Sequence, residues 1–117
     1  MTTLRETKEK IKNDARWWCI HLMNFVDDFR YYRDPKAMAQ PFELSDEKMD
    51  ALLASTAESL CDEIGLDPPA WLANVPACRE PYFVGGIENL KAITIVESPL
   101  RFRIRKIFVL ENFLSRV

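Results

Sequence analysis

Trp17-Trp18-Cys19-Ile20-His21-Leu22-Met23-Asn24-Phe25-Val26 is the stretch that decides how this chain folds. It holds no Gly or Pro and is apolar on nearly every side, which suits a helix surrounded by other elements. Working outward, Leu4, Ile11, Ala15, Trp18, Leu22, Phe25, Phe29 and Tyr32 follow at helical steps and share one face. Thr3 with Glu6 has the spacing of a capping box, and Pro35 pushes Asp34 out of helical geometry. The pattern predicts a helix over 3–33, with its charged flank from Arg5 to Arg16 in solvent. A straight helix of that length spans about 45 Å. That exceeds the width of a small domain, so either it breaks without a sequence cue or one end projects.

A second helix is predicted over 45–64. Ser45 is placed to cap its start, with Leu44 against Met49 as a hydrophobic staple, and Asp46 and Glu47 suit the positive end of the helix dipole. Met49, Leu52, Leu53, Ala57, Leu60, Cys61 and Ile64 form its inward stripe. Gly65 stands where a left-handed cap belongs, and Pro68-Pro69 forbids continuation. Beyond it, 69–74 fits one short helical turn led by proline. A third helix over 87–97 is compatible with Ile87, Leu90 and Ile93, although Ile93-Thr94-Ile95-Val96 also suits a strand. Arg101, Arg103 and Arg105 alternate with Phe102 and Ile104, and that period of two predicts an extended segment over 100–110. The fold class is therefore mainly α: two long packed helices, a C-terminal irregular region, a third helix and a short extended segment. All of 1–117 is expected to form one domain.

Composition narrows function more than it defines it. A chain of 117 residues with 48% apolar and 29% charged side chains can build one core without metals or disulfides. Three glycines argue against a turn-rich β fold. The net charge is −2, but it is distributed as +2 over 1–40, −7 over 41–70 and +3 over 71–117. A sequence pI near 5.4 lacks the overall field of a dedicated nucleic-acid binder. Cys19, Cys61 and Cys78 are odd in number and widely spaced, a poor disulfide framework that fits a reducing compartment. With no apolar leader or membrane-length apolar run, the expected location is the cytoplasm, with no membrane contact.

The residues that could carry chemistry are few. His21 is the sole histidine, and in a straight helix neither Asp14 nor Asp28 reaches its ring. No C-x-x-C spacing exists for zinc, and Glu58, Asp62 and Glu63 read as solvated carboxylates rather than a cation site. Gly85-Gly86 lacks the further glycine and lysine of a phosphate loop. No metal and no cofactor are expected. The run Arg101, Arg103, Arg105 and Lys106 is the most distinctive feature. On a strand, its three guanidinium groups would point one way, toward phosphates, a partner's carboxylates, or the chain's own acidic stretch from Glu43 to Asp67. Trp17, Trp18, Phe25, Phe29 and Tyr32 are the candidate interface residues, because Trp and Tyr anchor protein contacts and this helix has more apolar surface than one neighbour covers.

Pro69-Ala70-Trp71, Glu80-Pro81-Tyr82-Phe83-Val84, Leu90, and Ser98-Pro99 followed by Phe102-Arg103, Arg105, Ile107-Phe108-Val109 and Phe113-Leu114 together resemble a group of small bacterial proteins with no established activity. Such proteins sit in small operons, sometimes beside nucleotidyltransferase-like or toxin–antitoxin genes. The resemblance implies a regulatory or antitoxin-like partner role and assigns no site. The expected function is a non-catalytic interaction module that forms a homo-oligomer or binds a protein partner. A nucleic-acid-binding accessory protein using 101–106 is the second reading, and an enzyme with an unrecognised site is the third.

Overall fold

The computed structural model describes residues 1–84, 98–110 and 113–114. The protein is mainly helical. In chain order, α1 (Leu4–Asn13) leads through a 3₁₀ turn (Ala15–Trp17) into α2 (Trp18–Tyr32), and a second 3₁₀ turn (Pro35–Met38) leads to α3 (Glu47–Glu63). A third 3₁₀ turn (Ala70–Asn74) and the short strand β1 (Tyr82–Phe83) follow. The single helical turn α4 (Leu100–Arg103) and the strand β2 (Ile107–Phe108) complete the described elements. One core takes in side chains from Leu4 to Leu114.

The helix expected over 3–33 is broken. Asp14 leaves helical geometry at φ −148° and ψ 59°, and α1 folds back along α2 so that Thr2 N–H reaches Asp28 Oδ2 at 2.8 Å. The reason is tertiary. The longest dimension of the molecule is 38 Å, shorter than the unbroken helix would be. Leu4 and Ile11 can join the core only if α1 turns back. Thr3 caps α1 by accepting from Glu6 N–H at 3.1 Å. The charged flank is not wholly solvated either. Lys8 is buried, paired with Asp50 of α3, donates to Glu43 O at 3.1 Å, and stands 5.1 Å from the centre of the Phe42 ring.

α3 lies at the centre, with every residue from Asp50 to Glu58 buried. Its cap is Asp46, not Ser45: Asp46 Oδ1 accepts from Met49 N–H at 3.1 Å. The staple expected between Leu44 and Met49 gives way to a polar lock, since Leu44 is exposed while Asp50 Oδ2 accepts from the N–H groups of Ser45 and Asp46 at 2.9 and 3.1 Å. A carboxylate that accepts two backbone donors and pairs with Lys8 outweighs one leucine contact at a helix start. At the other end Gly65 adopts φ 70°, with Leu66 N–H bonded to Cys61 O and Gly65 N–H to Asp62 O, the two bonds of a Schellman stop.

The segment expected to be extended over 100–110 is instead a helical turn, a bend and only two strand residues. Pro99, at φ −58°, opens α4, where Phe102 N–H bonds Pro99 O at 3.0 Å. Lys106, at φ 61°, reverses the chain into β2. There β1 and β2 pair in parallel, Tyr82 opposite Ile107 and Phe83 opposite Phe108. Ser98 anchors the return by exchanging hydrogen bonds of 2.8 and 3.0 Å with the backbone of Val109. The 3₁₀ turn over 70–74 lies within the short helix expected over 69–74, and Trp71 Nε1–H donates to Met38 O at 2.9 Å. The expectation for 87–97, like that for Gly85-Gly86, lies outside the described residues.

Candidate functional site: the outer face of α2

α2 has two faces of different character. Leu22, Met23, Phe25, Val26 and Phe29 face inward and are buried, with Phe25 and Phe29 stacked at 6.3 Å. Of the five interface candidates, Phe25 and Phe29 are therefore core residues: they fall at i and i+4 on the stripe shared with Leu22 and Val26. Trp18 is half-buried against the core. The opposite face is open. Trp17 is 48% exposed, Ile20 49%, Tyr31 81% and Tyr32 52%. Ile20, Asn24, Asp27 and Tyr31 follow at steps of four, three and four and share one outer stripe of α2, while Trp17 stands just before its first turn. Arg16 stands over the Trp17 ring at 5.3 Å, and Tyr31 meets Tyr32 edge-on at 4.9 Å. Ile20 and Tyr31 were not among the candidates; the same three-four spacing, read from Trp17, would have found them.

The basic segment does not present a row. Arg105 is buried and pairs with Glu58 of α3, while its Nε and Nη2 donate to Val75 O at 3.2 Å and Leu72 O at 2.7 Å. Arg101 holds Asp62 through two bonds, of 2.9 and 3.0 Å, and lies 3.8 Å from Glu58. Lys106 Nζ donates to Arg79 O at 3.3 Å, and Arg103 is exposed. Two of the four cations thus turn onto the acidic stretch of the same chain. The common direction expected for the guanidinium groups depended on a strand that is not formed.

The chain break also changes the surroundings of His21. Because α1 ends at Asp14, the carboxylate swings back and Asp14 Oδ2 lies 3.1 Å from His21 Nε2, a contact that a straight helix forbids. Cys61 lies elsewhere, its thiol 3.3 Å from Met38 Sδ, and burial pushes its pKa up to about 11. Burial likewise raises the Cys78 thiol. Raised, enclosed thiols are poor nucleophiles. Glu58, Asp62 and Glu63 all engage arginines. Among the described residues no group of three or more His, Cys, Asp or Glu could hold a metal ion, and no helix is long and apolar enough to cross a membrane.

Fold and surface together define a small helical protein wrapped round a buried central helix, with aromatic side chains exposed at both ends of α2. No family model, curated protein or solved structure matches the chain.

Proposed function

We propose that the protein is a non-catalytic interaction module that associates with a second copy of itself through the outer face of α2. The observation that carries this reading is the exposure of Trp17, just before α2, together with Ile20 in its first turn, and of Tyr31 at the far end of the same helix. Single exposed apolar residues are ordinary on a protein surface, whereas this helix exposes apolar side chains at both ends, with Asn24 and Asp27 between them. An antiparallel pair of α2 helices centred on Asn24 puts Trp17 of each copy beside Tyr31 of the other, so both apolar ends are covered at once. It also brings Arg16, at the basic entry to the helix, toward the carboxylates of Asp27 and Asp28. Such a two-fold contact is self-complementary, the commonest form of association among soluble proteins.

The test is sedimentation equilibrium on the wild type and on Trp17→Glu and Ile20→Glu. Anchor side chains enclosed in a contact contribute about 2 kcal/mol or more, so each substitution weakens the dimer by at least about 30-fold. Both side chains are half-exposed in one copy. The unfolding midpoint of the dilute monomer therefore stays near that of the wild type. A wild type that remains monomeric at high concentration, or a dimer indifferent to both substitutions, refutes the reading.

A further inference from the structure

We propose that the cavity between the C-terminal ends of α2 and α3 and the turn of α4 binds a small zwitterion with an apolar tail, of the chemistry of a free apolar α-amino acid. The cavity measures about 390 Å³, at the small end of the range for small-molecule sites. Its rim is ionic and its floor apolar. At the rim, Arg30 holds Glu63 through Nε and Nη2 at 3.1 and 2.7 Å, and Arg101 holds Asp62 through two similar bonds. On the floor lie Phe102, Val109, Leu110 and Phe113, the two phenyl rings edge to face at 6.1 Å.

The charge pattern selects the ligand. Two cations and two anions line the cavity as two ion pairs, so a ligand with one charge meets as much repulsion as attraction. A ligand carrying both signs can place its carboxylate on the arginines and its ammonium on Asp62 and Glu63. The existing pairs are partly exposed, and ion pairs of that kind are weak enough to exchange for a ligand's charges. The acids are also set against the local field. Asp62 and Glu63 occupy the last turn of α3, the negative end of its dipole, where carboxylates are disfavoured and an ammonium group is welcome. A departure from local preference of this kind is characteristic of functional sites. Ser59 belongs to the same wall.

The experiment is a titration of the full chain, followed by backbone amide shifts, with leucine and phenylalanine, and with N-acetyl-leucine, leucinamide and glycine as comparators. Leucine and phenylalanine are expected to shift the amides of Ser59, Arg101 and Phe113, and to bind at least about tenfold more tightly than either singly charged analogue or glycine. Arg101→Gln removes one rim cation at a part-exposed position and is expected to weaken leucine by a similar factor. Should that variant unfold, the series of analogues on the wild type decides alone. Equal binding of the capped and free amino acids overturns the proposal, as does the absence of any shift at those three amides.

Discussion

Removing the charge of either partner in the buried Arg105–Glu58 pair will destabilise the fold far more than any other change in the basic segment. Arg105 and Glu58 are each 4% exposed. The guanidinium also satisfies the carbonyls of Leu72 and Val75 and approaches Ser55 Oγ at 3.4 Å, so it joins α3, the turn over 70–74 and the approach to β2. Losing one member of a buried pair costs about 3–5 kcal/mol, because the other charge is left desolvated and unmatched. Glu58→Gln, which keeps an acceptor, belongs at about 3 kcal/mol. Arg105→Met also orphans two carbonyls, at about 1–3 kcal/mol for a buried group, and belongs at 5 kcal/mol or above on the same rough scale. With total stability of about 5–15 kcal/mol, that loss leaves Arg105→Met marginal. Urea unfolding followed by circular dichroism reads the effect: for a slope of about 1.5 kcal/mol/M, Glu58→Gln lowers the midpoint by about 2 M. Replacing both partners, Glu58→Leu with Arg105→Met, removes the stranded charge and is expected to recover most of the loss. Arg103→Ala, at an exposed site, changes stability by about 0.5 kcal/mol or less. If Glu58→Gln and Arg105→Met both unfold within about 1 kcal/mol of the wild type, the pair does not hold these elements together, and the structural account of the basic segment is wrong.

Four further outcomes follow from the ends of α3 and from the thiols. Asp46→Ala should cost about 1 kcal/mol in the same unfolding assay and Ser45→Ala almost nothing, because the cap is Asp46. Gly65→Ala should cost about 1 kcal/mol, purely from the left-handed backbone, since an added Cβ meets nothing within 4 Å. At pH 8 a thiol reagent should modify Cys19 rapidly and reach Cys61 and Cys78 only on unfolding. The folded chain holds the Cys61 thiol near 11 against an ordinary 9.0 and also raises Cys78 and Tyr82. The associated stability is thus complete below pH 9 and is lost as the pH climbs toward 11, where the unfolded chain ionises first. A melting temperature that is flat or rising across that interval contradicts the burial of these groups.

What could be read from the sequence was what is local. The inward stripe of α2, the glycine stop of α3 and its proline barrier depend on residues within one or two turns of each other. The break at Asp14 was not readable because nothing at Asp14 causes it; the causes are Asp50 waiting for Lys8 and a core waiting for Leu4 and Ile11. The arginine alternation misled for the same reason. A period of two within Arg101–Arg105 suggests a strand, yet Glu58, 47 residues away from Arg105, draws one arginine inward while Pro99 starts a helical turn. Of the candidate site, the aromatic helix was evident, but which of its rings turn outward depended on where the rest of the chain packs. The cavity left no trace in the sequence, since Arg30, Asp62, Arg101 and Phe113 meet only on folding.

The enclosure of α3 imposes an order of events on biosynthesis. Its covering layers come from both sides in the sequence, α1 and α2 from before it and the 70–74 turn and α4 from after it. A nascent chain that has emerged only as far as Pro69 holds an apolar rod with one flank still bare. It must wait there, open to chaperones or to misassociation, until the residues near Phe102 and Ile107 arrive to close the shell. A molecule nicked at Pro68-Pro69 should therefore stay whole, its second half held against the helix that the first half supplies.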